Sequence, residues 1–281
     1  MAEIPINQIK KSLSKEIPMN LVNLLPEKWE KIGNILTLNL PSIFKDYKKI
    51  IGKRYAEVLK CKTILNDVGG IKGEFRVPNV ELIYGSRNTE TTHKENGIRF
   101  KLDPQKIMFS SGNMNERIRM TNISNKKETI VDLFAGIGYF TLPIAVYSKP
   151  KKIFACEKNQ IAFQYLNENI ILNDVSSIVE PIEGDNRIVS PKNIANRVIM
   201  GYLKETEKFL PIAIDCLYNN TGILHYHTKI SDKKVPNAPM KIIENEVRKK
   251  GCKAELLNYH HVKSYAPGVS HYVFDLKIGE V

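Results

Sequence analysis

The stretch TIVDLFAGIGYFT (129–141) decides the fold. Its first residues form an apolar run that ends on Asp132. Two glycines, Gly136 and Gly138, follow within a tight turn, and the residues beyond them, 138–148, read as a helix with Pro143 inside its first turns. Working outward, KKIFACEK (151–158) is a second buried strand and NQIAFQYLNENIILN (159–173) an amphipathic helix. Strands are expected at 178–182, 197–202 and 222–228, with helices at 204–217 and 238–250 between and after them. Strands alternating with helices imply an α/β, doubly wound, mostly parallel sheet covered on both faces. Two closing strands, near 253–262 and 271–278, are separated only by SYAPGVS (264–270). That is too short for a crossover helix, so the final strands must form an antiparallel hairpin.

In such a sheet, ligands bind beyond the carboxyl ends of the strands. Gly136 and Gly138 let the backbone approach a ligand and aim helix N–H groups at it. The third glycine of a dinucleotide fingerprint is replaced by Thr141, which disfavours a pyrophosphate and with it a nicotinamide oxidoreductase. A nucleoside without phosphates, such as S-adenosylmethionine, tolerates that change. Glu157 ends the second strand, where a carboxylate can accept from both ribose hydroxyls. Asp185 and Asn186 follow the third strand, within reach of an adenine. Each piece alone is commonly a turn or a surface charge; three at the ends of successive strands form a pattern.

The chain has 281 residues, 42 Lys+Arg against 30 Asp+Glu, and a formal charge of +12. A surplus of this size suits a polyanionic partner, although a well-solvated Lys-rich surface would produce the same number. No apolar run is long enough for a membrane span, and the first twenty residues lack the continuous apolar core of a signal peptide. Cys61, Cys156, Cys216 and Cys252 are scattered, so neither a disulfide framework nor a zinc knuckle is indicated. A cytoplasmic protein is expected, with no membrane and no metal.

Residues 1–100 read differently from the rest. Short strands at 34–39, 62–68 and 80–85 are punctuated by Pro and Gly, which fits a small α+β domain preceding a catalytic domain over 101–281. The basic stretches KDYKKIIGKRY (45–55) and VRKK (247–250) are candidates for phosphate contacts, or simply solvated helix faces.

Four segments in this order carry a closer resemblance: GGIKGEFRVPNVELIYG (69–85), KIMFSSGNMNERIRM (106–120), VDLFAGIGYFTLPIAVY (131–147) and NRVIMGY (196–202). With the ending YHHVKSYAPGVSHYVFDLKI (259–278), they resemble the family of tRNA guanosine-37 N1-methyltransferases and their sister enzymes of wybutosine synthesis. The resemblance runs from about residue 20 to the end and implies a class I methyltransferase-type, Rossmann-like catalytic domain using S-adenosylmethionine. The methyltransferases carry an Asn-Leu-Pro or Asn-Pro-Pro turn after the fourth strand. Here the positions are Met200, Gly201 and Tyr202. That form, with His225, His227 and YAPGV (265–269), is similar to the archaeal aminocarboxypropyltransferase branch. The branch moves the 3-amino-3-carboxypropyl group of S-adenosylmethionine onto carbon 7 of 4-demethylwyosine at position 37 of tRNA(Phe).

The resemblance implies that Ser110 and Arg117 hold the methionine portion of the cofactor, Arg117 by pairing with its carboxylate. A surface salt bridge with Glu116 or a neighbour is the plainer reading of Arg117. The target base must leave the anticodon stack, so the anticodon stem-loop of tRNA(Phe) is the expected partner of a monomeric enzyme. Tyr139 or Tyr202 could stack on that base or pack in the core. The proton acceptor is left unassigned; His225 and His227 are candidates on chemistry, and a metal reading of the histidines has no ligand motif behind it. A guanosine-37 N1-methyltransferase and a non-catalytic RNA-binding module stay open as alternatives.

Overall fold

All four side chains of Arg197–Met200 and three of the four in Thr129–Asp132 are buried. Strands covered on both faces in this way belong in the middle of a parallel sheet. The computed structural model describes residues 3–280. Its strands are β1 (Trp29–Ile32), β2 (Ile35–Leu38), β3 (Thr63–Lys72), β4 (Val77–Gly85), β5 (Thr91–Glu95), β6 (Ile98–Leu102), β7 (Thr129–Asp132), β8 (Lys152–Glu157), β9 (Val179–Glu183), β10 (Arg197–Met200), β11 (Gly222–Ser231), β12 (Cys252–Ala266) and β13 (Val269–Glu280). The helices are α1 (Pro5–Leu13), α2 (Met19–Val22), α3 (Lys48–Leu59), α4 (Met114–Met120), α5 (Thr141–Pro143), α6 (Gln160–Leu172), α7 (Asn186–Val189), α8 (Leu210–Cys216) and α9 (Asn237–Arg248).

The chain forms two compact units, and they are interleaved rather than cut once near residue 100. The first holds the residues up to Lys94 with Arg99–Ser111, and the second holds Glu95–Ile98 with everything from Gly112 onward. The first unit contains the four-stranded sheet β1-β2-β3-β4, in which β2 and β3 are parallel and the outer pairs antiparallel. Helices α1 and α3 supply Ile9, Leu13, Ile51 and Tyr55 to its core, against Leu36 and Ile64. Gly52 permits the close approach of α3, since a Cβ there would lie 2.8 Å from that of Tyr84 on β4. The basic stretch 45–55 is therefore half core: Ile51, Gly52 and Tyr55 are buried, while Lys45, Lys49 and Lys53 are exposed.

The second unit is built on a seven-stranded sheet of order β12-β13-β11-β10-β7-β8-β9. Strands β7 to β11 run parallel to one another, and β13 and β12 are antiparallel additions beside β11. Leu210, Ala213 and Ile214 of α8 and Ile243 and Val247 of α9 pack with Val131, Val198, Leu224 and Leu276 of the sheet in one buried cluster. The α/β, doubly wound fold with an antiparallel final strand, following a small N-terminal unit in the chain, is the architecture read from the pattern.

Local details differ. The helix expected at 138–148 is one α-turn, Thr141–Pro143, continued as a π-helical turn over Ile144–Ser148. Gly138, at φ +99°, cannot be helical, and Pro143 has no N–H to extend an α ladder. The closing hairpin is longer than read: β12 reaches Ala266 and β13 starts at Val269, leaving Pro267 and Gly268 as the loop. Strand β11 likewise runs to Ser231, because its ladder with β13 continues beyond the apolar run.

Candidate active site

The site is assembled at the carboxyl ends of β7, β8, β9 and β10. Strand β7 delivers Asp132, which is fully buried and accepts from the Phe134 N–H at 3.1 Å and the Thr141 hydroxyl at 2.8 Å. Burial pushes its carboxyl up to about 6, against the pull of those two donors. The chain then turns through Gly136 and Gly138, both at positive φ, where a Cβ would strike Tyr139 and Leu142 respectively. Glu157 ends β8. Its Oε2 accepts from the Gly136 N–H and its Oε1 from the Asn159 N–H, each at 2.7 Å. Burial raises the Glu157 carboxyl, and these backbone donors oppose the rise. Gly136 and Glu157, singled out independently in the sequence, are thus bonded to one another.

After β9 the two expected residues divide their roles. Asn186 is buried and donates through Nδ2 to the Leu133 carbonyl at 2.7 Å, which ties α7 to the glycine turn; its Oδ1 is buried with no partner. Asp185 caps α7 by accepting from the Arg187 N–H. Its carboxylate also holds the Arg187 guanidinium and lies 3.4 Å from the Lys158 ammonium, and these cations keep it well below the usual carboxylate range. Beyond β10, Tyr202 stacks on Phe134 at 4.9 Å with an interplanar angle of 11°, and Phe209 meets both rings edge-on. Arg187 lies 5.7 Å over the Phe209 ring.

Arg117 does not pair with Glu116. Its Nε and Nη2 donate to the two oxygens of Glu95 at 2.6 and 2.7 Å, and its side chain is only 2% exposed. In this structure its guanidinium therefore takes part in a buried ion pair. Ser110 lies in the first unit and is half-buried. Glu116 instead pairs with Arg119, which also bonds Asp275 of β13 at 2.8 Å.

His225 and His227 share a face of β11, as expected, but both are buried in a polar network. Arg197 can only donate, so His225 Nε2 accepts from it at 2.8 Å and its Nδ1–H donates to Asp275 at 2.6 Å. His227 shares a hydrogen bond of 2.9 Å with His271, and Phe140 packs on its ring at 5.1 Å. Burial lowers all three histidines, His271 to about 3. Among the described residues no group of His, Cys, Asp or Glu is arranged to hold a metal, and no helix is long and apolar enough to cross a membrane.

The donor set suits a nucleoside. The Glu157 carboxylate is held by the backbone N–H groups of Gly136 and Asn159 at the end of β8, where its oxygens can also accept from ribose hydroxyls. Asn186 Oδ1 is an acceptor buried without a donor, and the glycine turn carries no Cβ at Gly136 or Gly138. Sequence reasoning missed Glu95, Asp132, Thr141 and the chain Glu116–Arg119–Asp275. Asp132 carried a signal, as an acidic residue closing an apolar strand; Glu95 carried none, because its partner is on another element.

Two family models match the chain: the TRM5/TYW2 methyltransferase domain over residues 91–256 and the TYW2 N-terminal domain over 9–89. A Pyrococcus horikoshii protein named tRNA(Phe) (4-demethylwyosine(37)-C(7)) aminocarboxypropyltransferase is 45% identical over 96% of each chain. The crystal structure of P. horikoshii TYW2 in complex with MeSAdo superposes with a TM-score of 0.88, covering 98% of this chain and all of that one at 42% identity. A tRNA (guanine(37)-N(1))-methyltransferase, Trm5b of Pyrococcus abyssi, is 36% identical over 93% of this chain and 78% of its own. With both models spanning the two units and the P. horikoshii relative matched at 45% identity over 96% of its length, the chain belongs to the TRM5/TYW2 family.

Proposed function

We propose that this protein transfers the 3-amino-3-carboxypropyl group of S-adenosylmethionine to carbon 7 of 4-demethylwyosine at position 37 of tRNA(Phe), a step of wybutosine-derivative biosynthesis. The observation that carries this reading is 45% identity over 96% of each chain to a protein of that name, joined to a strand-end turn of Met200, Gly201 and Tyr202 where the family resemblance implies Asn-Pro in the methyltransferases. When bound, S-adenosylmethionine supplies an electrophilic γ-carbon on its sulfonium, and the tricyclic base supplies an electron-rich carbon in line with it.

The protein's residues bind and orient. Glu157 accepts from the ribose hydroxyls, Asn186 and Asp185 face the adenine, and the backbone at Gly136 and Gly138 makes room for the nucleoside. The Glu95 partner of Arg117 makes it a positioning residue for α4, and the roles of Ser110 and Arg117 toward the methionine portion rest on the family resemblance. The Phe134–Tyr202 pair offers an aromatic edge against which a flipped base can lie. The first unit positions the anticodon stem-loop, in keeping with exposed Lys45, Lys49 and Lys53 and the charge of +12. The enzyme acts as a cytoplasmic monomer.

The test incubates the protein with S-adenosylmethionine and tRNA(Phe) carrying either guanosine or 4-demethylwyosine at position 37, and weighs the nucleosides. A gain of about 101 Da on 4-demethylwyosine is the expected result, from the mass of the group displaced in line; a gain of about 14 Da on guanosine would make it a methyltransferase. No gain on either would leave only an RNA-binding role.

A further inference from the structure

Strand β11 is paired with β10 only as far as Tyr226 opposite Met200, yet it continues to Ser231. Five residues at about 3.3 Å each carry it roughly 16 Å past the carboxyl end of β10. There it is flanked only by β13 and then β12, so a three-stranded ribbon projects from the edge of the sheet that carries the glycine turn.

One rung of that ribbon is unusual. Lys229 on β11 lies opposite His271 on β13, which lies opposite Lys263 on β12. Directly paired residues share a face, so two lysines flank one histidine in a row. Burial, Lys263 and His261 keep His271 uncharged, and the row carries the charge of its two lysines. Between Ser264 and Ala266 the register shifts, and Tyr265 is the extra residue of that irregularity. Its ring, 42% exposed, lies 5.6 Å from the Lys229 ammonium and 5.1 Å from that of Lys263. Asp232, the residue after β11, accepts the Tyr272 hydroxyl at 3.1 Å.

Two ammonium groups gathered on one ring repel each other, and an exposed ring returns only about 0.5–1 kcal/mol for each. An anion set against both lysines removes the repulsion, and an aromatic face beside it accepts a base. We propose that Lys229, Lys263 and Tyr265 form a clamp for the RNA strand next to the reacting nucleotide, the lysines on a phosphodiester and the tyrosine against a neighbouring base. This rests on the tRNA-modifying reading above and adds to it the surface that holds the strand.

The experiment measures binding of tRNA(Phe) carrying 4-demethylwyosine by anisotropy across a salt series, for the wild type, K229A/K263A, Y265A and Y265F. Calorimetry with S-adenosylmethionine on the same proteins reports whether the nucleoside site is intact. The double variant should bind tRNA at least about ten-fold more weakly, with a salt slope shallower by roughly 0.7, the loss of one neutralised phosphate. Y265A should weaken binding several-fold and Y265F should not, with cofactor affinity unchanged throughout. A double variant with wild-type tRNA affinity and slope overturns the clamp while wild-type turnover keeps the functional reading. A wild type that neither binds nor modifies the tRNA overturns that reading, and the clamp with it.

Discussion

Arg117 on α4 and Glu95 on β5 form a bidentate ion pair with 2% and 5% of their side chains exposed. Removing one partner of such a pair strands a buried charge, at about 3–5 kcal/mol. Arg117→Ala should therefore lower the melting temperature sharply as well as weaken cofactor binding. The double variant E95Q/R117Q replaces two charges with neutral hydrogen-bonding groups and should recover much of the stability. If it also recovers S-adenosylmethionine affinity, the arginine acts only through its ion pair; if affinity stays low while stability returns, Arg117 contributes to the site itself.

Glu157 joins the end of β8 to the glycine turn through Gly136. Glu157→Gln loses a charged acceptor and cannot accept at both ends of its amide. S-adenosylmethionine affinity should fall at least ten-fold, about 1.4 kcal/mol, in calorimetry. Equal affinity in the variant would remove the carboxylate from the ribose.

Gly138 holds a φ of +99°, and a Cβ there would sit 2.6 Å from Leu142 Cγ. Gly138→Ala combines backbone strain with a clash against a buried side chain. It should destabilise the protein by about 1–3 kcal/mol, read as a lower midpoint in denaturant.

His271 is held neutral by burial, with a folded value of about 3 against 6.5 when exposed. As pH falls the unfolded chain takes up the proton first. The stability it contributes is therefore intact above about 6.5 and is lost progressively toward pH 3. His271→Gln should flatten that part of the stability profile measured by thermal melts. A wild type equally stable at pH 7 and pH 4.5 would contradict the buried, neutral state.

Asp132 titrates with the opposite sign. Its folded value of about 6 lies above the 3.8 of an exposed aspartate, so the folded state takes up the proton first. Its favourable contribution is complete below about 3.8 and is lost as pH rises through 6. Asp132→Asn should gain stability relative to wild type between pH 5 and pH 8 in the same melts, and an unchanged difference would place the ionised carboxylate in the folded protein throughout.

The alternation of strands and helices from residue 129 onward could be read directly, because each strand is an apolar run bounded by turn residues. The glycine turn and Glu157 were legible for a related reason: both sit at strand ends, where topology alone fixes the edge they share. Glu95 was not legible, since nothing in THKENG (92–97) marks a residue that will face an arginine 22 positions later. The histidines of β11 show the limit from the other side. Their alternate spacing gave one face, but the partners Arg197, Asp275 and His271 come from strands on either side.

The sequence by itself determined the parallel core of the second unit, its closing hairpin, the nucleoside-type turn and the family resemblance carried by its motifs. These depend on local periodicity, on glycine and proline chemistry, and on residues close together in the chain. Only the tertiary structure decided which charges are paired and buried, that Arg117 serves Glu95, and that Lys229, His271 and Lys263 share one rung. Those facts depend on strand register and burial, which bring residues dozens of positions apart within a few ångströms and set the free-energy cost of their charges.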